Sequence, residues 1–560
     1  MEDLIRKFAI HNAVKYGGKA NPGAVIGKML SEDPSLKGDM KSIGKKVNEA
    51  IAKINKLSPG EQRKILEQEF PELLEEKKQE EKKELPPLRD PKKVFMRFEP
   101  SPSGPLHIGH AYVLGLNALY CEKYNGKLIL RIADTNPDNI YPPAYGLIKE
   151  DADWLTGNKV KEFFAQSGRL DVYYRYMEKL LALGNAYICT CNPDRFKELL
   201  IQKSPCPCRD LPHAEQEQRW KKLFKGYKQG EAVARLKTDL QNPNPAMRDF
   251  PLFRINETKH PKAGTKHRVW PLMNMAVACD DMEGNITHII RAKDHADNAL
   301  RQRYLFDYFK KPFPETIFVG RINFLGMPVS CSKTRPLIED GTYSGWDDIR
   351  LPFLAALRRR GYQPEALLQY AFDVGVSLAD KKVSQDEFFK TINAYNKDVV
   401  DADADRFFFV ESPHPLIVED APERDVELDL HPDTKKGGRR FSTAQDFFIA
   451  DEDFNILKEN RMYRLMDCLN FIKEGNSYHF HSQPYSGFKG KGEKIIHWLP
   501  KKAKNVDVEV LMPDNKKKSG LGEAGLASLP LGAIIQFIRF GFCRLDEKKG
   551  GKLKFWFLHG

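Results

Sequence analysis

His107 and His110, which flank an Ile-Gly pair directly after a Pro-Ser-Gly-Pro segment, have the types and spacing to do phosphate chemistry. The pattern predicts a short strand over 94–98, a turn, and an apolar-periodic helix from about 108 to 124. Both imidazoles would lie in the first helical turn, where free N–H groups and the helix dipole attract phosphate. We expect them to stabilise charge on the α-phosphate of ATP, with Gly109 leaving room for the nucleotide. The alternative is that two histidines cap an ordinary helix.

A second candidate phosphate site is the segment Ser330-Cys331-Ser332-Lys333-Thr334-Arg335. We predict a mobile loop in which Lys333, with Arg335 nearby, holds the β- and γ-phosphates and neutralises pyrophosphate as it leaves. Taken alone, such a segment would be a basic surface loop. Its place in the chain after the histidine pair favours the phosphate-binding interpretation.

The elements around the histidines position them at one edge of a sheet. Residues 127–135, KLILRIADT, form the next predicted strand, which gives the order strand, loop, helix, strand. This is the βαβ order of a doubly wound nucleotide-binding sheet, whose ligands lie outside the carboxyl ends of the strands. The loops that follow the two strands should therefore face one cleft.

Composition sets limits on the class of protein. The 560 residues, 41% hydrophobic and 30% charged, are enough for several cores and exclude a disordered scaffold. The apolar runs are shorter than the roughly 18 residues that cross a bilayer, and the first residues lack a signal-peptide pattern. We expect a cytoplasmic enzyme that does not bind a membrane. The net charge of +12 favours a polyanionic partner, although charge alone does not identify nucleic acid.

Two cysteine pairs have metal-ligand spacing. Cys189 and Cys191 are separated by 14 residues from Cys206 and Cys208, so four thiolates could bind one tetrahedral zinc ion. Such a zinc would be structural, because no ligand position is left open. The alternative is a group of buried reduced thiols.

Longer segments carry a family resemblance. From about Lys93 onward the chain resembles archaeal-type glutamyl-tRNA synthetases in the order of the segments RFEPSPSGPLHIGHA, RIADTNP, CPCRDL, AVARLKTD, RDFPLFRI, VWPLMNMAVACDD, GNITHIIRAKDHADN, SCSKTRP, GWDDIRLPFLAALRRRGYQPEAL and IQFIRFGFCRLD. The N-terminal YGGKANPGAVIGKML is similar to the N-terminal extension of this family. These segments are far more specific than either short motif.

The resemblance implies an α/β class I (Rossmann-like) catalytic core with an inserted α/β domain, helical domains and C-terminal all-β barrels. The predicted ranges are 1–74 for an N-terminal helical domain, 75–93 for a charged linker, 94–188 and 267–328 for the two halves of the catalytic domain, 189–266 for an inserted acceptor-end-binding domain, 329–400 for the phosphate loop and a helical stem-contact domain, and 401–560 for a β-barrel anticodon-binding region.

The resemblance also implies an activity. It implies that ATP, with Mg²⁺, activates glutamate as glutamyl-adenylate, and that the 2′-hydroxyl of the terminal adenosine of tRNA(Glu) then accepts the glutamyl group. His107, His110 and Lys333 match the catalytic residues, and the ATP-binding set adds Gly104, Gly109 and Ser332. The family also needs tRNA before glutamate is activated. The sequence leaves open whether tRNA(Gln) is also charged, and the alternatives are a glutaminyl-tRNA synthetase and a tRNA-binding paralogue without catalysis.

The choice of glutamate depends on Arg291. By resemblance it faces the end of the substrate side chain, where glutamine-specific relatives have a smaller neutral residue. A guanidinium can form a bidentate pair with the γ-carboxylate, which a neutral amide cannot match. Arg97 and Ser101 match further residues of the amino-acid pocket. The alternative for Arg291 is a structural ion pair with Asp280 or Asp281.

The chain departs from the family pattern at several positions. Ala133 replaces a glutamate that is available for the substrate ammonium, and Glu99 stands where a small residue is usual. We hypothesise that Glu99 supplies the missing carboxylate. Met273 stands where tyrosine is common, and Ser330 replaces the first lysine of the second motif, which leaves Lys333 as its main cation.

Basic runs are candidate contacts to tRNA phosphates. They are Arg358-Arg359-Arg360, Lys435-Lys436 with Arg439-Arg440, and Lys516-Lys517-Lys518. Charge runs are more often solvated surface, so the last two are weaker candidates. We expect anticodon bases to stack on exposed aromatic residues of the C-terminal barrels.

Overall fold

The computed structural model describes residues 2–33, 40–70, 73, 84–434 and 437–560. It divides into two compact units, Met1–Glu84 and Leu85–Gly560. Most of the charged run in the predicted linker, residues 74–83, lies outside the described residues. Lys435 and Lys436 lie outside them as well.

The described part of the first unit is helical, as predicted. Asn21 and Ser58 cap two of its helices, and Ser58 does so in a capping box with Glu61. Gly17 and Gly18, with φ of +71° and +97°, end the first helix in a conformation that favours glycine. The helices are α1 Glu2–Lys15, α2 Pro22–Glu32, α3 Met40–Ile54 and α4 Pro59–Glu69.

The second unit begins with a parallel sheet. Strands β1, β2 and β3 are neighbours, β8 pairs with β9, and the Thr287 N–H just before β8 donates to Phe95 O in β1 at 3.0 Å. The order in which the strands are added reverses between β1 and β8, because β2 and β3 extend the sheet from β1 whereas β9 extends it from β8, and ligands of doubly wound sheets bind at such a switch point. The elements are β1 Phe95–Phe98, α5 Ile108–Lys123, β2 Lys127–Ile132, α6 Ala144–Thr156, β3 Val160–Ala165, α7 Leu170–Ala182, α10 Met273–Glu283, β8 His288–Ala292, α11 Ala296–Tyr308 and β9 Glu315–Val319.

An antiparallel sheet interrupts this fold and shares an apolar core with α7, α10 and α11. Its strands lie in the order β4-β5-β6-β7 and run from Ala186 to Pro271, beyond both ends of the predicted range 189–266. The elements are β4 Ala186–Cys189, α8 Pro193–Ile201, α9 His213–Lys225, β5 Val233–Leu236, β6 Pro251–Ile255 and β7 Val269–Pro271.

A mostly helical region follows the sheet. Helix α14 packs along α5, and α15 packs on α14, so their apolar faces extend the core of the parallel sheet. The elements are β10 Ile322–Leu325, α12 Cys331–Glu339, α13 Leu354–Arg360, α14 Pro364–Val374, β11 Lys381–Ser384 and α15 Gln385–Val400.

The C-terminal region is rich in strands. Its largest sheet has the order β12-β25-β26-β27-β23-β24-β13, and only Phe408 separates its edge strands β12 and β13 in the chain, so the sheet is nearly closed. The barrel prediction is confirmed, except that "all-β" omits two short helices. The elements are β12 Asp405–Phe407, β13 Phe409–Glu411, β14 Pro413–Ile417, β15 Arg424–Asp429, β16 Gly438–Thr443, β17 Asp446–Ala450, α16 Asp451–Asn455, β18 Met462–Leu465, β19 Leu469–Glu474, β20 Ser477–Ser482, α17 Tyr485–Phe488, β21 Lys494–Ile496, β22 Leu499–Pro500, β23 Val506–Leu511, β24 Lys517–Gly522, β25 Ile534–Phe537, β26 Gly541–Lys549 and β27 Lys552–His559.

The division into functional ranges stays a prediction. Within the described chain, no helix is both long and apolar enough to span a bilayer.

Candidate functional site

The two histidines lie at the start of α5, as the pattern predicts. His107 is the N-cap, and its Nδ1 accepts the Gly109 N–H at 3.0 Å. The His107 and His110 rings stack with centroids 3.8 Å apart. A β-carbon on Gly109 would lie 2.9 Å from the His107 ring, so only glycine fits between the imidazole and the helix.

Both imidazoles are neutral donors at neutral pH. Burial lowers the pKa of His110 to about 4, and burial together with His110 lowers the pKa of His107 well below its usual value. His107 Nδ1 accepts from Gly109, and His110 Nδ1 accepts the His107 N–H at 3.4 Å. The proton of each ring therefore sits on Nε2, where it can be donated to a phosphate oxygen.

Backbone contacts brace the histidine turn on both sides. The Leu106 N–H donates to the buried carboxylate of Asp151 at 3.0 Å, and Leu106 O accepts the Leu354 N–H at 2.9 Å. Ile108 N–H donates to Pro352 O at 3.1 Å. The turn is thus held by α6 and by the start of α13.

The segment that carries Lys333 lies against the turn, but the predicted mobile loop is wrong. Helix α12 begins at Cys331, so Ser332 and Lys333 occupy its first turn. The buried Cys331 packs on the Pro-Ser-Gly-Pro segment, with its Sγ 3.6 Å from Pro105 O. This tertiary contact fixes the helix start, which the polar composition alone did not indicate.

Lys333 is free for a ligand. It is exposed, and within the described residues no carboxylate lies within 4.0 Å of its ammonium group. Ser332 is exposed beside it. An exposed cation therefore lies in the first turn of α12, where it is available to a phosphate.

A buried ion-pair cluster lies at the carboxyl ends of β1, β2 and β8. Its central residue is Arg131, whose Nη2 donates to both Glu99 and Asp281 at 2.8 Å. Arg97 Nε donates to Asp281 at 3.3 Å, and Arg169 Nε donates to Asp280 at 2.8 Å. The members of this cluster, apart from the half-exposed Arg169, are almost completely buried.

Arg291 adjoins this cluster but has no carboxylate of its own. Its Nη1 donates to Gln302 Oε1 at 3.0 Å, and among the described residues no carboxylate lies within 4.0 Å of its guanidinium. Burial, followed by repulsion from Arg97, lowers the pKa of Arg291 to about 10, although Asp281 and Glu99 partly oppose this. It remains charged at neutral pH. No ion pair between Arg291 and Asp280 or Asp281 is present within 4.0 Å among the described residues, so this alternative is not supported. Arg97 and Arg131 both donate to Asp281 Oδ1, and Asp281 Oδ2 is buried without a hydrogen-bond partner among the described residues.

The remaining residues of the predicted pocket have different surroundings. The Glu99 oxygens contact Arg131 at 2.8 Å and Gln166 at 3.2 Å, so a substrate ammonium would share this carboxylate. Ser101 is exposed after β1, and Met273 is exposed at the start of α10.

The four cysteines converge. Their sulfur atoms lie within 4.8 Å of one another. Cys189 and Cys206 are 3.9 Å apart, and Cys191 and Cys208 are 3.7 Å apart. Zinc–sulfur bonds of about 2.3 Å in a tetrahedron require sulfur–sulfur distances of about 3.8 Å. The donor set therefore fits zinc.

Arg131 and Gln302 were missed by the sequence reasoning. Arg131 is a charge that interrupts the apolar run LIL-I of the strand KLILRI, which was a usable signal for a buried ion pair. Gln302 lies on α11 without any motif, and only the fold brings it to Arg291.

The basic runs are largely used within the chain. Arg359 pairs with Asp546 at 2.7 Å, and the buried Arg360 donates to Leu558 O at 3.0 Å, so these two join α13 to the C-terminal region. Arg439 is buried against Glu523. Each lysine of 516–518 has a surface carboxylate partner.

Three segments of the chain match models of one known protein family. Residues 93–401 match the catalytic domain of the class I tRNA synthetases (E and Q). Residues 404–482 and 495–546 match two anticodon-binding domains of that family.

Relatives that match over nearly their whole length are glutamate–tRNA ligases. The chain is 43% identical over 554 residues to a glutamate–tRNA ligase from Methanocaldococcus jannaschii, covering 98% of each chain. It is 42% identical over 572 residues to the glutamate–tRNA ligase of Pyrococcus furiosus, covering 99% of this chain and 98% of the relative. A crystal structure of a glutamate tRNA ligase from Elizabethkingia meningosepticum aligns with 21% identity and a TM-score of 0.36, over 50% of this chain and 60% of that one.

Proposed function

The chain belongs to the class I tRNA synthetases of the glutamate and glutamine group and attaches glutamate to tRNA, and we propose that the reaction takes place where β1 and β8 adjoin. The archaeal relatives that match over nearly their whole length are glutamate–tRNA ligases. Neither a glutaminyl-tRNA synthetase nor an inactive paralogue is favoured by these matches.

The assignment of the substrate pocket rests on the unpaired charge of Arg291. A buried guanidinium without a carboxylate is costly, and a substrate γ-carboxylate would pair with it. The amide of glutamine would leave that charge unpaired. Arg97 and Ser101 would line the same pocket, and the substrate ammonium would bind at Glu99, which replaces the acid absent at Ala133.

The activation step needs groups that donate hydrogen bonds to the phosphate oxygens, and it needs no proton transfer from the protein. The glutamate α-carboxylate attacks the α-phosphorus of ATP, a P–O bond forms, and the bond to pyrophosphate breaks with its electron pair. His107 and His110 donate Nε2–H to the α-phosphate oxygens, and Lys333 neutralises the leaving pyrophosphate. Ser332 would lie beside the nucleotide phosphates, whereas Gly104 and Gly109 act indirectly, since the space beside them is filled by Cys331 and by the His107 ring. Mg²⁺ would accompany ATP and neutralise its phosphates.

A direct test compares amino acids. Wild type should support tRNA-dependent ATP–pyrophosphate exchange with glutamate far better than with glutamine. Arg291→Met should raise the KM for glutamate by about 10- to 100-fold, because a charge-assisted pair is lost. An unchanged glutamate KM in that variant would contradict the assignment of the pocket.

We propose a structural zinc ion at Cys189, Cys191, Cys206 and Cys208. The Arg219 guanidinium and the Thr190 N–H, which lie 3.3 and 3.5 Å from Cys208 Sγ, would stabilise the thiolates. Protein purified without chelators should contain about one zinc per chain. Cys206→Ser should lose it, whereas Cys468→Ser, at a buried cysteine elsewhere, should not.

The proposed acceptor is tRNA(Glu), with tRNA(Gln) as a second candidate. Charging both purified tRNAs in parallel with labelled glutamate decides between one acceptor and two. Because the archaeal relatives serve translation, we propose a cytoplasmic location.

A further inference from the structure

We infer that Gln302 determines the preference for glutamate by holding the Arg291 guanidinium with a neutral acceptor. This inference rests on the proposed role of Arg291. Gln302 is 1% exposed, and its Oε1 accepts Arg291 Nη1–H at 3.0 Å. The contact orients the guanidinium without cancelling its charge.

The orientation of the Gln302 amide is fixed by its neighbours. Arginine can only donate, so Oε1 must face Arg291 and Nε2 must point away. Nε2 donates to Asn274 Oδ1 at 3.2 Å, and Asn274 Nδ2 donates to Asn298 Oδ1 at 3.2 Å. Arg301 Nη1 donates to the same Asn298 oxygen at 3.4 Å. A guanidinium therefore sets the direction of this amide chain at each end.

This series of hydrogen-bonded amides contains no negative charge that could neutralise Arg291. Its next member, His295, accepts Asn298 Nδ2–H at 3.1 Å through Nδ1, which requires an unprotonated Nδ1. Burial, followed by the nearby Arg291, lowers the pKa of His295, in agreement with a neutral ring. Arg291 is thus held by the Gln302 amide, and the amides and the imidazole beyond it are neutral.

Charge balance explains why a neutral acceptor matters. Among the described residues, the guanidinium groups of Arg97, Arg131, Arg169 and Arg291 adjoin only three carboxylates, those of Glu99, Asp280 and Asp281. The unmatched charge is the one that a ligand carboxylate would satisfy. A carboxylate at position 302 would satisfy it permanently and would repel the substrate.

The deciding variant is Gln302→Glu, which has the same shape with one added charge. In tRNA-dependent ATP–pyrophosphate exchange, the KM for glutamate should rise by about 10- to 100-fold, and the ratio of glutamate to glutamine kcat/KM should fall by a similar factor. The KM for ATP and the kcat at saturating glutamate should change less than about threefold, a split that general damage to the fold would not produce. Gln68→Glu, which adds the same charge on an exposed residue of the first unit, should match wild type.

Parallel variants separate the failure of this inference from that of the pocket assignment. If Arg291→Met raises the glutamate KM while Gln302→Glu keeps the wild-type KM and preference, the inference about Gln302 is wrong and the pocket stands. If neither variant changes the KM, the pocket assignment itself is wrong. Should Gln302→Glu fail to fold, Gln302→Met decides. It should raise the glutamate KM by about three- to tenfold at unchanged kcat, and an unchanged KM would overturn the inference.

Discussion

A β-carbon on Gly104 would lie 2.8 Å from the sulfur of Cys331. This contact joins two segments more than 200 residues apart in the chain, one preceding the histidine pair and the other beginning the helix that carries Lys333. The two candidate phosphate-binding elements are therefore in direct contact within one unit. Their mutual position depends on the absence of a side chain at Gly104.

Gly104→Ala should separate these elements. The new methyl group would also contact Cys331 Cβ at 2.9 Å, which a rotamer change cannot relieve. We expect a loss of about 1–3 kcal/mol in the free energy of unfolding and at least a ~10-fold lower kcat for ATP–pyrophosphate exchange. Gly146→Ala is the control, because nothing lies within 4 Å of a β-carbon there. Equal kcat values in the two variants would show that this contact does not position Lys333.

Replacing Arg131 should affect stability first. Arg131→Met removes the guanidinium that both Glu99 and Asp281 contact and leaves these carboxylates buried. We expect a loss of about 3–5 kcal/mol, measured by urea unfolding. Arg195→Met, at an exposed arginine paired with Glu198, should cost less than about 1 kcal/mol. A loss that small for Arg131→Met would mean that the cluster relaxes or hydrates.

The sequence predicted part of this arrangement for identifiable reasons. The histidine turn follows from local glycine, proline and periodicity signals, and the structure places it at the start of α5. The helix at Cys331 and the Gln302 contact depend on residues distant in the chain, which no local pattern reports. The run Arg358–Arg360 looked like a surface for phosphate, but two of its side chains are bound by Asp546 and Leu558 O. The histidine turn was therefore predictable from neighbouring residues, whereas the pairing of charged side chains with distant parts of the chain was not.

The neutral state of His110 predicts a pH effect on stability. Its pKa falls to about 4 through burial, whereas the unfolded chain binds this proton near pH 6.5. The unfolded state therefore binds more protons between these values, so stability present above pH 6.5 is lost as pH falls toward 4. Wild type should lose unfolding free energy between pH 7 and 5, and in His110→Gln this loss should be smaller by about 1 kcal/mol or more, measured by urea unfolding. His213→Gln, at an exposed histidine, should change the loss little. Parallel profiles for wild type and His110→Gln would contradict a buried neutral ring.

Asp151 should produce the opposite dependence. Burial raises its pKa to about 7, although the Leu106 N–H and then Arg358 favour the charged form and Glu150 opposes it. The folded protein then binds the extra proton, so this contribution to stability is complete below about pH 4 and is lost as pH rises through 7. Asp151→Asn keeps an acceptor for Leu106 and cannot ionise. The variant should be more stable than wild type by roughly 3–4 kcal/mol at pH 8, with the difference vanishing below about pH 3.5. Because the turn before His107 keeps its hydrogen bond, exchange activity should stay within about threefold of wild type. A variant that is less stable at pH 8 would show instead that the charged pair with Arg358 outweighs the cost of burying the carboxylate.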